Sequence, residues 1–343
     1  MFRYKKFFTV LIALFAVISF AGSAAADPIQ IITTIFPEYD WVRNILGENP
    51  AGAELTLLLD NGVDLHSYQP TADDILKITD CDLFIYIGGE SDSWVEDALK
   101  EARNRDMVVL NLLDTLGDMA REEEVVEGMQ DAHDHEHDHD QEKHDHEEDH
   151  DHEEDHDHED EHEEAELDEH IWLSLGNAAF LCEKISGALV ALDPENGEVY
   201  RANTEAYLGK LKDLDERYRQ TVNAAPVKTL LFGDRFPFRY LTDDYELDYY
   251  AAFTGCSAET EASFETVIFL TKKVDELGLN TVMTIEGRDH RIAETIARST
   301  ETKDQKILTM DSMQSVTGND IRNGVTYLSV MERNLEVLRE ALQ

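Results

Sequence analysis

Between Asp131 and Glu169 the chain carries 23 acidic side chains, 11 histidines and a single base, Lys143. A segment so poor in apolar groups cannot offset the entropy of ordering it, which predicts a disordered insert rather than part of a core. The folded protein must therefore come from the residues on either side. Within the insert, His-Asp-His-Glu-Glu-Asp occurs at 144–149 and again at 150–155, with a near copy at 156–161. The metalloprotease pattern HExxH also occurs three times, starting at His146, His152 and His158. That chemistry needs a stable helix in a folded cleft, and low-complexity His/Glu text produces the string by chance.

The charge of the whole chain follows the same division. Across 343 residues, 74 acidic and 29 basic side chains leave a formal net charge of −45, about half of it inside the insert. So negative a chain repels phosphate backbones and anionic membrane surfaces, which argues against nucleic-acid partners. The length suits about two domains, each with its own core.

Residues 1–26 have the pattern of an export signal. Arg3, Lys5 and Lys6 precede an uncharged apolar run from Phe7 to Phe20, and Ala24-Ala25-Ala26 offers a cleavage site before Asp27. The alternative is an uncleaved anchor. No cysteine lies in this segment for lipid attachment, and no other apolar stretch reads as long enough to span a bilayer. The expected product is a soluble protein outside the cytoplasm, periplasmic or otherwise extracytoplasmic. Its three cysteines, Cys81, Cys182 and Cys256, form no CxxC or zinc-ribbon spacing. An oxidising compartment permits one disulfide with one free thiol, and no pairing is favoured. Cys81 opens a buried-strand pattern and reads as a small core hydrophobe.

The remaining sequence alternates β-branched runs with helical spacings. Strands are expected near 29–35, 55–59, 83–87 and 107–110, with helices near 39–46, 75–78 and 94–103. Thr71 and Asp74 form a capping box for the second helix. After the insert come a helix ending near Leu192 and a longer one from Glu195 to Asn223, started by Asp193-Pro194. In the longer helix Tyr200, Asn203, Tyr207, Leu211, Leu214, Tyr218 and Val222 keep one face. A second strand–helix series fills 225–343. The expected class is α/β: two α/β lobes with parallel sheets joined by one long rigid helix. The division runs 1–26 signal, 27–130 N-terminal lobe, 131–169 insert, 170–194 return to the first lobe, 195–224 bridging helix and 225–343 C-terminal lobe.

Only His66, His170 and His290 lie outside the insert. His66 and His170 each follow a loop and precede a helix, and in parallel sheets such loops at the carboxyl ends of strands collect ligands. Asp311, ending the strand expected at 306–310, can add a carboxylate. Two imidazoles and a carboxylate suit Zn²⁺, with a fourth ligand closing the tetrahedron. Taken alone, each histidine reads more readily as a surface or hydrogen-bonded residue than as a ligand. Together they favour a metal site, because histidine is otherwise nearly absent from the folded part. His290, at a helix start between Asp289 and Arg291, reads as exposed.

At these residues the chain resembles the solute-binding proteins of zinc and manganese ABC importers, the ZnuA/TroA-like group. The matching segments are Thr34-Ile35-Phe36-Pro37, His66 with Gln69-Pro70-Thr71, Asp82-Leu83 through Gly88, Asp168 to Leu173, Asp193-Pro194-Glu195-Asn196, Tyr200-Arg201-Ala202-Asn203, Glu286 and Met310-Asp311-Ser312. They run through nearly the whole mature chain. The resemblance implies one metal ion held between two lobes, with His66 and His170 as first and second ligands, Asp311 as the fourth and Glu286 as outer support. The third ligand of that family is a histidine or glutamate, but here Gly233 stands at its place, beside Asp234. Either Asp234 swings in, or water or an insert histidine completes the shell; Asp234 beside Arg235 reads equally as a surface ion pair. Glu169 replaces the proline usual before the second histidine, with little expected effect.

The His/acid insert lies where zinc-type members of the group carry a histidine-rich loop, which favours Zn²⁺ as transported ligand over Mn²⁺. Its carboxylates should concentrate cations and push the insert histidines' pKa upward, so capture there weakens as pH falls. The expected protein is not an enzyme. It is a monomeric zinc-capturing protein that delivers Zn²⁺ to an ABC permease and its ATPase. The alternatives are a metal-dependent hydrolase with Glu286 as base, and a secreted zinc buffer without a transporter.

Overall fold

The structure, a computed structural model, describes residues 28–130, 166–257, 261–287 and 289–343. The expected signal peptide and most of the His/acid insert lie outside the described residues.

The first lobe runs β1 (Gln30–Thr33), α1 (Phe36–Leu46), β2 (Glu54–Leu57), α2 (Ala72–Asp80), β3 (Leu83–Tyr86), α3 (Val95–Lys100), β4 (Val108–Asn111) and α4 (Leu112–Leu116), and α5 (Leu175–Leu192) packs back onto it. Then come α6 (Gly197–Ala224), β5 (Thr229–Phe236), α7 (Arg239–Tyr245), β6 (Asp248–Thr254), α8 (Phe264–Leu277), β7 (Thr281–Ile285), α9 (Arg291–Ser299), β8 (Lys306–Met310), α10 (Gly318–Arg322) and α11 (Tyr327–Ala341). The strands form two four-stranded sheets, ordered β2-β1-β3-β4 and β6-β5-β7-β8, and every pairing between them is parallel. Parallel sheets are covered on both faces, which is why the inner strands are nearly continuous apolar runs. All five residues of β7 are buried. This is the α/β class that alternating strand and helix patterns imply.

Local signals set several boundaries. Thr71 Oγ1 donates to Asp74 Oδ2 at 2.7 Å while Asp74 N donates back at 3.2 Å, so the capping box starts α2. Pro37 stops the strand region and also starts α1, where its missing N–H leaves no helical bond unmade. Helices α4, α7 and α10, of five to seven residues, are too short to display a helical period in sequence.

The long helix is α6, 28 residues and hence about 42 Å. Tyr200, Thr204, Tyr207, Leu211, Leu214, Tyr218 and Val222 form its buried face. Near its start Asn203 Nδ2 donates to Ile45 O of α1 at 2.9 Å, and near its end Tyr218 Oη donates to Met331 O of α11 at 2.7 Å. One rigid rod is thus tied to both lobes. The lobes also touch directly. Tyr327 N of α11 donates to Asp40 Oδ2 of α1 at 2.9 Å, Tyr327 Oη to Trp172 O at 2.6 Å, and Trp172 Nε1 to Ser312 O at 2.8 Å. A single apolar core runs through both lobes, and a smaller one of Leu231, Phe253, Leu270, Val282 and Ile296 fills the outer side of the second sheet.

Two expectations need correction. Residues 166–169 do not belong to the insert: Leu167 bridges Glu122, and Asp168 and Glu169 are each 2% exposed. Their burial follows from hydrogen bonds to structured partners rather than from apolar content, so composition misassigns them. The expectation of no further membrane-length apolar stretch also fails, because α5 is long and apolar enough to cross a bilayer. Its apolar residues Leu181, Cys182, Ile185 and Leu189 are buried in the core shared with α1 and α6, which accounts for that composition without a membrane.

Candidate metal centre

His66 lies in a short 3₁₀ turn, Leu65–Ser67, beyond the carboxyl end of β2. Asp64 caps that turn by accepting from His66 N at 3.0 Å, and its other oxygen pairs with Arg235 of the second lobe. The Arg235 guanidinium and His66 therefore hold the Asp64 carboxyl below its usual range against an upward push from burial. His170 is fully buried immediately before a second 3₁₀ turn, Ile171–Leu173, that leads into α5.

The two rings meet edge to edge. His66 Nε2 lies 3.2 Å from His170 Nε2. Behind them, His170 Nδ1 is 2.9 Å from Asp168 Oδ1, and His66 Nδ1 is 2.8 Å from Ser91 Oγ and 3.4 Å from Glu169 Oε2. A carboxylate only accepts, so Asp168 places a proton on His170 Nδ1 and leaves its Nε2 with a lone pair, whereas His66 Nδ1 faces both the Ser91 hydroxyl, which donates or accepts, and the accepting Glu169. Two imidazole nitrogens that close need a cation or a proton between them. Two nitrogens bound at about 2.1 Å to a tetrahedral zinc ion lie about 3.4 Å apart, close to the observed spacing. A carboxylate holding the far nitrogen of a ligating imidazole is the usual outer support of a metal site.

Glu169 does more than the resemblance implies. Its Oε1 accepts from Ser91 N at 2.8 Å while Oε2 faces His66. Burial pushes its carboxyl up, but bonds from His66 and Ser91 outweigh that and hold it below the usual range. Gly89 makes room for it: at φ +78°, an added Cβ would lie 2.4 Å from Glu169 Oε1. Behind this group Asp92 accepts from Gly88 N at 3.0 Å; burial, opposed by that bond and reinforced by Glu169, pushes its carboxyl up to about 7. Buried acids around paired imidazoles make a setting suited to a cation.

The expected carboxylate ligands are engaged with other partners. Asp234 Oδ2 accepts from Thr284 Oγ1 at 2.6 Å and Ile285 N at 3.3 Å, and Oδ1 from Arg235 N. It pins β5 to β7 where the β5–β6 register shifts between Phe232 and Arg235, and the expected ion pair with Arg235 is replaced by Arg235–Asp64. Asp311 Oδ1 accepts from Met313 N at 2.9 Å, and Oδ2 faces Arg333 at 3.5 Å. Glu286 accepts from Ser312 N, Ser312 Oγ and Gln314 N at 2.6, 2.7 and 3.2 Å, which fixes the loop that carries Asp311. Burial raises both carboxyls, and Asp311 adds to the rise of Glu286, which reaches about 7. His290, expected to be exposed, is half-buried with Nδ1 3.0 Å from Thr284 Oγ1.

Among the described residues, the three potential ligand atoms that converge are those of His66, His170 and Cys256, all within 4.8 Å of one another. Cys256 follows β6 in a turn and, as a cysteine without a spacing partner, gives no signal in sequence. All three cysteines are free; Cys81 fills the core with Sγ 3.4 Å from Met107 Sδ, as its strand pattern implies. A cavity of about 330 Å³ adjoins the pair, lined by His66, Gly233, Asp234, Arg235, Glu286 and Arg291 among others.

Two parallel α/β lobes are thus joined by one connecting helix, with a paired-imidazole site where they meet. The chain belongs to the ZnuA family, described as "Zinc-uptake complex component A periplasmic", whose model matches residues 31–341. It is 28% identical over 315 residues to the zinc-binding protein AdcA of Streptococcus pyogenes, covering 92% of this chain and 56% of that one. The chain thus spans about half the length of the AdcA relatives it matches. It is 27% identical over 322 residues to the high-affinity zinc uptake system protein ZnuA of Bacillus subtilis, covering 94% and 90% of the two chains. The Zn(II)-bound ZnuA-like domain of Streptococcus pneumoniae AdcA superposes with a TM-score of 0.66 at 25% identity, over 92% of this chain and 99% of that domain.

Proposed function

We propose that this protein captures one Zn²⁺ ion between its lobes outside the cytoplasm and delivers it to an ABC permease with its ATPase. The observation that carries the reading is the His66–His170 pair, with the two Nε2 atoms converging at 3.2 Å and both Nδ1 atoms held from behind. The zinc-binding names of AdcA and ZnuA agree with it. The work is capture, not turnover. Asp311 joins as a further ligand by releasing Met313 N and Arg333, whereas Asp234 keeps its place against Thr284. Because α6 is bonded to both lobes, release proceeds by a small change at the lobe junction rather than by wide opening. The His/acid insert acts as an accessory gatherer of ions, and residues 1–26 as a cleaved signal.

The test is isothermal zinc titration of chelator-stripped protein lacking residues 131–165. One tight site is expected to remain. Loss of all tight binding would place the site in the insert and refute the lobe assignment. Asp168→Asn is expected to weaken that site about 10- to 100-fold, the usual cost of disturbing the partner behind a ligating histidine. Competition against a chelator of known affinity measures it, and unchanged affinity would deny Asp168 its role.

A further inference from the structure

The resemblance implies a third ligand at Gly233, and the structure closes that place. A Cβ built on Gly233 would lie 2.5 Å from Ala293 Cα and 2.7 Å from Ala293 N. Those are backbone atoms of α9, so no side chain from this point of β5 can reach a metal without moving a helix. The ligand must come from elsewhere.

We propose that Cys256 supplies it, as a thiolate, so that the protein holds zinc through two imidazoles and one sulfur. The inference rests on the reading of His66 and His170 as zinc ligands. Cys256 leaves the same carboxyl edge of the second sheet one strand over: Thr254 pairs with Phe236 at the end of β5, and Cys256 lies two residues further on. Its Sγ and the two histidine nitrogens lie within 4.8 Å of one another.

Two features hold the turn against the site. Cys256 N donates to Glu123 Oε1 at 2.8 Å, anchoring its backbone. Gly255 lies flat on His170: a Cβ there would come 2.9 Å from Phe236 O and 3.0 Å from His170 Cε1. The missing side chain at 255 is what lets the turn approach the imidazole. A zinc ion bound at about 2.1 Å to nitrogen and 2.3 Å to sulfur needs N···S separations of about 3.6 Å, and the three ligand atoms already lie within 4.8 Å of one another.

The chemistry is balanced without any oxidant. Zn²⁺ displaces the thiol proton to solvent, the S–H bond is replaced by a Zn–S bond, and no electron changes hands. Three protein ligands leave a fourth position for water or Asp311. A thiolate also biases the site: sulfur favours zinc strongly over manganese, which prefers oxygen donors.

Zinc K-edge X-ray absorption on the full mature chain with one equivalent of Zn²⁺ tests this, together with titrations of the Cys256→Ser variant. The wild type is expected to show one sulfur scatterer at about 2.3 Å beside nitrogens at about 2.0–2.1 Å. Cys256→Ser should lose that scatterer, keep the wild-type melting temperature without metal, and bind zinc at least about tenfold more weakly. Cys81 and Cys182, buried in the first lobe's core, stay intact as internal controls. Tight wild-type binding through nitrogen and oxygen alone overturns the cysteine assignment and leaves the histidine reading standing. A wild type that binds no zinc tightly overturns the histidine reading, and the cysteine assignment with it. The wild-type spectrum decides even if the variant folds poorly.

Discussion

His170→Ala is expected to weaken zinc binding by well over the roughly 100-fold that loss of an outer partner costs, with His66→Ala close behind. His170 carries the larger effect for a physical reason. Its ring is fully buried, bonded to Asp168 on one side and 5.3 Å, centroid to centroid, from Trp172 on the other. Its Nε2 is thus presented in one orientation, so little side-chain entropy is lost on binding. Removing it deletes a ligand and also leaves Asp168 as a buried carboxylate without its imidazole partner, so some loss of stability in the metal-free protein should accompany the loss of affinity. His66 is supported more loosely, by Ser91 and Glu169. The control is His290→Ala, because His290 is engaged with Thr284. Its zinc affinity should match the wild type. Competitive zinc titration of the three variants decides the point, and a His170→Ala protein with wild-type affinity removes that residue from the site.

Gly233→His, which puts an imidazole where the resemblance implies a third ligand, is expected to destabilise the protein and not to tighten zinc binding. The imidazole has nowhere to go. Its Cβ alone would overlap Ala293 of α9, and Ala293 is completely buried in the smaller core with Leu231, Val282 and Ile296. Overpacking of this kind typically costs about 1–3 kcal/mol, and it falls where the β5–β6 register already shifts between Phe232 and Arg235. The measurement is urea unfolding of metal-free variant and wild type, followed by zinc titration. A variant as stable as the wild type that binds zinc more tightly would show that α9 yields and that the site is simply one ligand short.

Much of the fold was legible because its signals are periodic. The strand–helix alternation, the capping box at Thr71 and Asp74, and the one-sided spacing of Tyr200 to Val222 are local patterns, and each appears where it was expected. The histidine pair was legible by subtraction, since only His66, His170 and His290 lie outside the insert. What surrounds them was not. Ser91 stands 25 residues from His66 in sequence and Asp168 two residues before His170, and neither spacing marks an outer partner. Glu169 looked like a harmless replacement because its effect, a bond to Ser91 and contact with His66, exists only once residues 88–92 fold beside it. Cys256 was invisible for the same reason: β6 and its turn bring it to His170 only in three dimensions. Asp234 and Asp311 are carboxylates near the right strand ends, yet sequence does not say which neighbour each prefers. Thr284 and Arg333 respectively face them here.

The central claim is that zinc lies between His66 and His170 at the lobe junction. A crystal structure of the zinc complex, with anomalous scattering recorded at the zinc edge, tests it most directly. The account predicts one strong peak about 2.1 Å from both Nε2 atoms, with Asp168 still behind His170. A peak bound by other residues, or zinc found only on the insert histidines, would contradict it.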